Sequence, residues 1–295
     1  MAAHALDALN KADKQTFLAA LGSVYEHAPW VAEAVLAARP FKGIAELHAT
    51  MVKAVRDAGP EKQIALVKGH PNLAGKAARA GNLTVESAAE QASAELNRLS
   101  DAEYAQFHRL NDAYGGRFGF PFIVCVRRHG KESILREFER RLANTPVAEL
   151  RAALDEILRI GALRLDEKVS APDKLKVHGR LSTHVLDTHS GRPAEGVAME
   201  LVELSGGDVA HVIARAVTNA DGRTDQPLIH GRPVPIARYE LRFSIGRYFA
   251  ARGAKQADPP FLDVVPVRFA VAEPEGHYHV PLLATPWSYS TYRGS

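Results

Sequence analysis

The chain has one cysteine in 295 residues, Cys125, so no intrachain disulfide can form. That fits a reducing compartment. Cys125 sits in the apolar run Pro121-Phe122-Ile123-Val124-Cys125-Val126. It reads as buried packing, because a reactive thiol needs polar, electropositive surroundings. No apolar stretch approaches the ~20 residues of a membrane span. The opening Met1-Ala2-Ala3-His4-Ala5-Leu6-Asp7 lacks a basic region followed by an apolar run, so no secretory signal is expected. The closing Gly294-Ser295 is not a Ser-Lys-Leu peroxisomal address. A cytoplasmic protein without membrane partners is expected. Charge of one sign is also scarce, with 37 Lys and Arg against 34 Asp and Glu. No Lys/Arg stripe with interleaved aromatics is present, so nucleic acid is not an expected partner.

What is present divides in two. A length of 295 residues is comfortable for two domains, and 46% hydrophobic content suits a globular chain. The first 165 residues read as an all-α domain. Phe17, Leu21 and Val24 follow helical spacing, as do Ile134, Phe138 and Leu142, and then Leu150, Leu154, Ile157 and Leu158. Ser100-Asp101-Ala102-Glu103 has the capping-box pattern, and Thr145-Pro146 reads as an N-cap followed by proline at the first helical position. Residues 166–175 are polar, contain Pro172 and carry no sustained period, so they read as a linker or a frayed helix end. Residues 176–295 read as a β-sandwich. Leu175/Val177, Val197/Met199/Leu201 and Leu241/Phe243/Ile245 alternate with period two. His189-Ser190-Gly191, Ser205-Gly206-Gly207 and Asp221-Gly222 mark turns.

Four segments of the second half carry polar chemistry. Leu181-Ser182-Thr183-His184 puts a His in an apolar strand, and Asp221-Gly222-Arg223 puts an Arg just past a turn. His277-Tyr278-His279 places two imidazoles on one strand face, and the chain closes on Ser290-Thr291-Tyr292-Arg293-Gly294-Ser295. A His-x-His pair is also a zinc pattern, but no carboxylate or cysteine stands at supporting spacing, so no metal is expected. In order and type these segments resemble the transthyretin-related 5-hydroxyisourate hydrolases. The resemblance covers nearly all of residues 176–295. It implies a transthyretin-like fold and a site made of His184, Arg223, His279 and Tyr292. His184 and His279 would position and activate water, and Arg223 would stabilise developing negative charge. Tyr292, Arg293 and Ser295 would line the substrate pocket, with His277 a neighbour. The same fold serves as a hormone carrier, which offers a binding protein or scaffold as the alternative. The carrier lacks the His, Arg and His at the matching positions, and this chain has them.

In the first half, Lys68-Gly69-His70-Pro71-Asn72-Leu73-Ala74-Gly75-Lys76 is a loop, and Pro71 keeps His70 out of helical geometry. Ser87, Glu90 and Gln91 share one helix face. On spacing alone they read as a solvated face. With the His-Pro loop and the strip Phe118-Gly119-Phe120-Pro121-Phe122-Ile123, they resemble the 2-oxo-4-hydroxy-4-carboxy-5-ureidoimidazoline (OHCU) decarboxylases over about residues 10–165. The resemblance implies His70 as acid/base and Glu90 as the residue that holds substrate and tunes His70. Pro71, Ser87, Gln91, Phe120 and Ile123 would bind substrate. Arg164, or Arg159 nearby, would take the carboxylate. The family's His-Pro-Asp-Leu is His-Pro-Asn-Leu here, so Asn72 is expected to brace the loop without charge.

The two resemblances name consecutive reactions. Together they imply a cofactor-free bifunctional enzyme acting on 5-hydroxyisourate and then OHCU. Both families are oligomeric, so a homo-oligomer, a tetramer built from dimers, is expected.

Overall fold

A computed structural model of the chain describes residues 3–75, 81–205 and 209–294. Two compact units are present: Met1–Arg127 with Ile134–Val177, and Arg128–Ser133 with His178–Ser295. The helices of the first half are Leu6–Lys11, Lys14–Leu21, Pro29–Ala34, Ile44–Asp57, Pro60–Lys68, Val85–Ser93, Asp101–Phe118, Lys131–Leu142 and Pro146–Lys168. Their starts follow local chemistry. The Ser100 amide donates to Glu103 Oε2 (2.8 Å) while the Glu103 amide donates to Ser100 Oγ (3.3 Å), which closes the capping box. Thr145 Oγ1 accepts from the Ala148 amide, and Pro146 occupies the first turn. Phe17, Leu21, Val24, Ile134, Phe138 and Ile157 point into one apolar core.

The first unit is not purely helical. Strand β1 (His4–Ala5) pairs in parallel with β2 (Val169–Ser170). The cause is local: the helix Pro146–Lys168 ends at a β-branched residue, Val169, whose φ of −122° and ψ of 127° are extended. That helix also runs into the segment 166–175 as far as Lys168. Leu175 and Val177 do not form a strand; they pack against the helical core. Alternation over so short a stretch reads equally as two contacts made by an irregular chain.

A buried ion pair braces the segment that follows the helix Asp101–Phe118. Arg141 is 2% exposed and Glu149 0%. Arg141 Nε donates to Glu149 Oε1 (2.8 Å), and the Tyr114 hydroxyl donates to the same oxygen. Arg141 Nη1 donates to the Ile123 carbonyl (2.6 Å), and its guanidinium lies 4.7 Å from the Phe122 ring centre. One cation thus fixes both a carbonyl and a ring of the 120–126 strip.

The second unit is a two-sheet sandwich. Its strands are β3 (Gly179–Asp187), β4 (Arg192–Pro193), β5 (Ala198–Ser205), β6 (Val209–Val217), β7 (Ile229–Arg232), β8 (Arg238–Ser244), β9 (Val264–Ala270), β10 (His277–Ala284) and β11 (Tyr289–Thr291). One sheet runs β11-β10-β3-β4 with β7 also on β3; the other runs β6-β5-β8-β9. Leu181, Val185 and Leu282 from the first sheet meet Met199, Leu201, Leu241 and Phe243 from the second in one core. Ile245 departs from the expected strand, because β8 ends at Ser244 and Ile245 opens the helix Ile245–Ala251. Ile245, Tyr248 and Phe249, three and four residues apart, all turn into the core. The turn expected at Ser205-Gly206-Gly207 falls partly outside the described residues. Among the described residues no helix is long and apolar enough to cross a membrane.

Removing one member of the Arg141–Glu149 pair strands a buried charge. Arg141→Met is expected to lower stability by about 3 kcal/mol, and Arg141→Met with Glu149→Leu to recover most of it. Urea denaturation followed by circular dichroism measures both.

Candidate active sites

In the helical unit the expected residues gather from three separate segments. A cavity is lined by His70, Pro71, Ser87, Glu90, Gln91 and Ile123, with Phe122 and Arg164 in the same wall. The helix Pro60–Lys68 ends with Gly69 as its C-cap, and the His70 ring folds back so that Nδ1–H donates to the Leu66 carbonyl (2.9 Å). The lone pair therefore lies on Nε2, which is buried and has no hydrogen-bond partner. Burial, above all, pushes the His70 pKa down to about 4. Gln91 Oε1 accepts from the Ala74 amide (2.9 Å) and ties the His-Pro loop to the helix Val85–Ser93. Arg164 donates through Nε and Nη2 to Glu90 (2.7 and 2.8 Å) and through Nη1 to Glu26 (2.8 Å).

Three points bear on the sequence expectation. Arg164 is 3% exposed in the cavity wall, whereas Arg159 is 48% exposed and pairs with Glu156. An incoming carboxylate at Arg164 must displace one of two carboxylates already there. Phe120 does not line this cavity; it lines an outer groove with Asn72, Asn111 and Lys68, which His70 also borders. Asn72 is exposed in that groove, so the departure from aspartate falls outside the cavity. Lys76, the last residue of the expected loop, lies outside the described residues.

In the β unit, parallel pairing of β3 with β10 sets His279 opposite Ser182 and Pro281 opposite His184. Alternation puts Leu181, Thr183 and Val185 in the core and Ser182 and His184 on the other face, with His277 and His279 beside them. Arg223 is delivered by a turn that Asn219 closes. Asn219 Oδ1 accepts from the amides of Asp221 and Arg223 (both 3.1 Å), and the Gly222 carbonyl accepts from the Val185 amide (2.8 Å). Gly222 has φ +71°, and a Cβ there would run into the Val185 carbonyl oxygen. His184 and Arg223 form an antiparallel bridge, as do His279 and Gly294. The Gly294 amide donates to the His279 carbonyl (2.9 Å), and a Cβ at 294 would lie 2.7 Å from His279 Cδ2. The tail can approach the imidazole this closely because residue 294 is glycine.

The His184 and His279 pKa values are both lowered, by burial first and then by the Arg223 cation; His277 and Arg180 add to the effect at His279. Tyr292 is 58% exposed in the chain as it stands. The Arg293 guanidinium lies 4.9 Å from the Tyr278 ring centre, and Tyr278 alternates away from His277 and His279. The single chain therefore does not bring Arg293 to the imidazoles. Ser295 lies outside the described residues.

Two polar residues escaped the sequence reading. The Ser182 hydroxyl lies between His277 Nε2 (3.2 Å) and His279 Nδ1 (3.0 Å). Its position two residues before His184 was the available signal, since that spacing shares a strand face. Glu26 had no local signal, because its partners Thr84, Ser87 and Arg164 are far away in sequence.

The fold and the two side-chain clusters define a helical decarboxylase-type domain followed by a transthyretin-type domain. Comparison with known proteins agrees. The OHCU decarboxylase family model matches residues 10–166, and the HIUase/Transthyretin family model matches residues 181–294. The decarboxylase of that name from Haloferax volcanii is 43% identical over 166 residues, covering 56% of this chain and 96% of that protein. The 5-hydroxyisourate hydrolase 2 of Rhizobium meliloti is 53% identical over 117 residues, covering 40% of this chain and 97% of that protein. A crystal structure of (S)-allantoin synthase is 35% identical, with TM-score 0.51, covering 99% of this chain and 100% of that one. The chain belongs to the OHCU decarboxylase family through its first half and to the HIUase/transthyretin family through its second.

Two outcomes are expected from this geometry. Gly222→Ala places an L side chain in the left-handed region against a carbonyl, and is expected to cost about 2 kcal/mol of stability. Chemical denaturation would measure it. Lowered values at His184 and His279 keep both imidazoles neutral as pH falls below the ordinary 6.5. Hydrolysis of 5-hydroxyisourate should therefore lose its base form only below pH 6.5. In Arg223→Gln the nearby cation is gone, both values rise, and the residual rate should begin to fall at higher pH. Stopped-flow absorbance on fresh substrate across pH reads the shift.

Proposed function

We propose that this chain is a bifunctional enzyme of urate breakdown. The second unit hydrolyses 5-hydroxyisourate to OHCU, and the first decarboxylates OHCU to (S)-allantoin. The observation that carries the reading is the end-to-end likeness to (S)-allantoin synthase, 35% identical over essentially the whole length of both chains. Working limits of 1–165 and 176–295 for the two domains accord with the family matches at 10–166 and 181–294.

Ring opening needs a water deprotonated and an oxyanion stabilised. Neutral His279 and His184 are suited to take the proton from water. Arg223, a planar cation beside them, suits the oxygen that becomes negative as the ring carbonyl turns tetrahedral. In the decarboxylation, the bond from the ring carbon to the carboxylate breaks as CO2 leaves, its electron pair forms a double bond to the adjacent ring carbon, and the imine nitrogen takes a proton from solvent. The hydroxyl on the first carbon then loses its proton as a carbonyl forms, and the adjacent ring carbon gains one. His70 Nε2, neutral and unpartnered, can take the hydroxyl proton and return it to one face. Ser87, Gln91 and the backbone beside Ile123 supply hydrogen bonds to the ureido and ring amides, with Pro71 beside them. No cofactor enters either step.

A homo-oligomer, a tetramer with two-fold symmetry, accords with the open site on the β unit. Strands β9 and β11 are sheet edges, and Trp287, Tyr289 and Tyr292 are about half exposed beside the tail. A second copy could supply the missing wall. A reducing, cytoplasmic setting accords with one buried cysteine.

The test follows urate freshly oxidised by urate oxidase, by ultraviolet absorbance and circular dichroism. The protein should remove the isourate band quickly and produce the (S)-allantoin signal without delay. His279→Ala should slow ring opening at least ~100-fold and leave decarboxylation intact, and His70→Ala should do the reverse. Loss of both activities in either folded variant would contradict two independent sites.

A further inference from the structure

The helical site has a hub that does not face the cavity. Glu26 is 4% exposed and is absent from the cavity lining. Its Oε1 accepts from Thr84 Oγ1 (2.7 Å) and from Ser87 Oγ (3.1 Å). Its Oε2 accepts from Arg164 Nη1 (2.8 Å). Thr84 is the N-cap of the helix Val85–Ser93, so Glu26 also grips the start of the helix that bears Ser87, Glu90 and Gln91. Arg164 Nη2 approaches Ser87 Oγ as well (3.4 Å).

We propose that Glu26 is a positioning residue for the decarboxylation assigned above: its carboxylate fixes the Ser87 hydroxyl and the Arg164 guanidinium and, through Arg164, the Glu90 carboxylate. The inference rests on the decarboxylase reading of that cavity. A guanidinium presents its donors in one rigid plane, so holding Nη1 on Glu26 sets the direction in which Nε and Nη2 meet Glu90. Without Glu26, Arg164 keeps a single carboxylate partner and is free to turn with it. Ser87 then loses its acceptor, and its hydroxyl can point elsewhere. Glu26 is therefore needed for the arrangement of the wall and not for contact with the ligand.

The charge matters as well as the shape. A glutamine at 26 keeps one acceptor oxygen, but its NH2 must face either the guanidinium or a hydroxyl that now donates to Glu26. Facing the guanidinium sets donor against donor. An aspartate keeps the charge and withdraws it by one methylene, so it reaches fewer of the three partners.

The experiment generates OHCU in situ from fresh 5-hydroxyisourate and compares the full-length wild type with E26Q and E26D. Folding is checked by circular dichroism, and ring opening serves as an internal control. E26Q should lower kcat for decarboxylation roughly 10- to 100-fold with KM changed less than about 3-fold, because a substrate that Ser87 and Arg164 hold off its reactive geometry still binds but reacts slowly. E26D should recover part of kcat. Ring opening should be unchanged in both. Wild-type kcat in folded E26Q overturns the proposal, as does a loss expressed only in KM. If E26Q does not fold, E26D decides, and a kcat equal to wild type overturns it. If the wild-type protein itself fails to accelerate OHCU loss, the decarboxylase reading falls instead, and the two failures are thereby told apart.

Discussion

The helical site depends on one buried cation. Arg164 cannot shed its proton, so burying it requires compensation inside the fold. Two carboxylates provide it, Glu26 and Glu90. They come from different places: Glu26 from the chain after the helix Lys14–Leu21, Glu90 from the helix Val85–Ser93, and Arg164 from the helix Pro146–Lys168. Each ion pair therefore joins segments distant in sequence, and the cluster holds them in one relation. The cation answers two anions with one charge. Thr84 and Ser87 donate hydroxyl hydrogens to Glu26, which spreads the remaining negative charge over hydrogen bonds. His70 borders this cluster without joining it. Its Nδ1 is spent on the Leu66 carbonyl, so Nε2 stays a neutral acceptor.

Both units keep imidazoles neutral, by different physics. At His70 burial dominates, and Glu26 and Arg164 pull in opposite directions. At His184 and His279 burial is lighter and the Arg223 cation works with it. The result is shared: the lone pair is available near neutral pH, which suits proton abstraction. The second arrangement has a further property. On the reading proposed above, the cation that depresses the imidazoles would also meet the developing oxyanion, so one side chain would both prepare the base and stabilise the charge.

Much of this was legible in the sequence because the relevant spacing was local. The capping box at Ser100 and Glu103, the N-cap at Thr145 and the alternation around Leu241 and Phe243 are decided within a few residues, where periodicity and capping chemistry operate. On spacing alone Ser87, Glu90 and Gln91 read as a solvated face; the family resemblance singled them out with His70, and the four meet in one cavity. What was illegible required tertiary contact. Glu26 reads as one more charge near a helix end until the fold sets it against Arg164. Phe120 and Phe122 are two residues apart in one aromatic strip, yet only Phe122 lines the cavity, because the chain passes the wall at that point and Phe120 turns to the outer groove. Ile245 continued a period-two pattern while also starting a helical one, and core packing of Tyr248 and Phe249 decided between them. The pairing of β1 with β2 joins the two ends of the helical unit, which no local pattern encodes.

The two candidate sites differ in what completes them. The helical one is lined by its own chain, with Arg164 and His70 both buried. The β one has its imidazoles on a sheet face, while Tyr292 projects outward and Arg293 lies over Tyr278. An imidazole in so open a place gains little from the low dielectric that strengthens electrostatics in enclosed sites. The tail is nevertheless pinned: the Gly294 amide is bonded to the His279 carbonyl, and Thr291 Oγ1 donates to the Pro281 carbonyl (2.8 Å). A pinned tail bearing exposed aromatic rings has the form of a surface that awaits another surface.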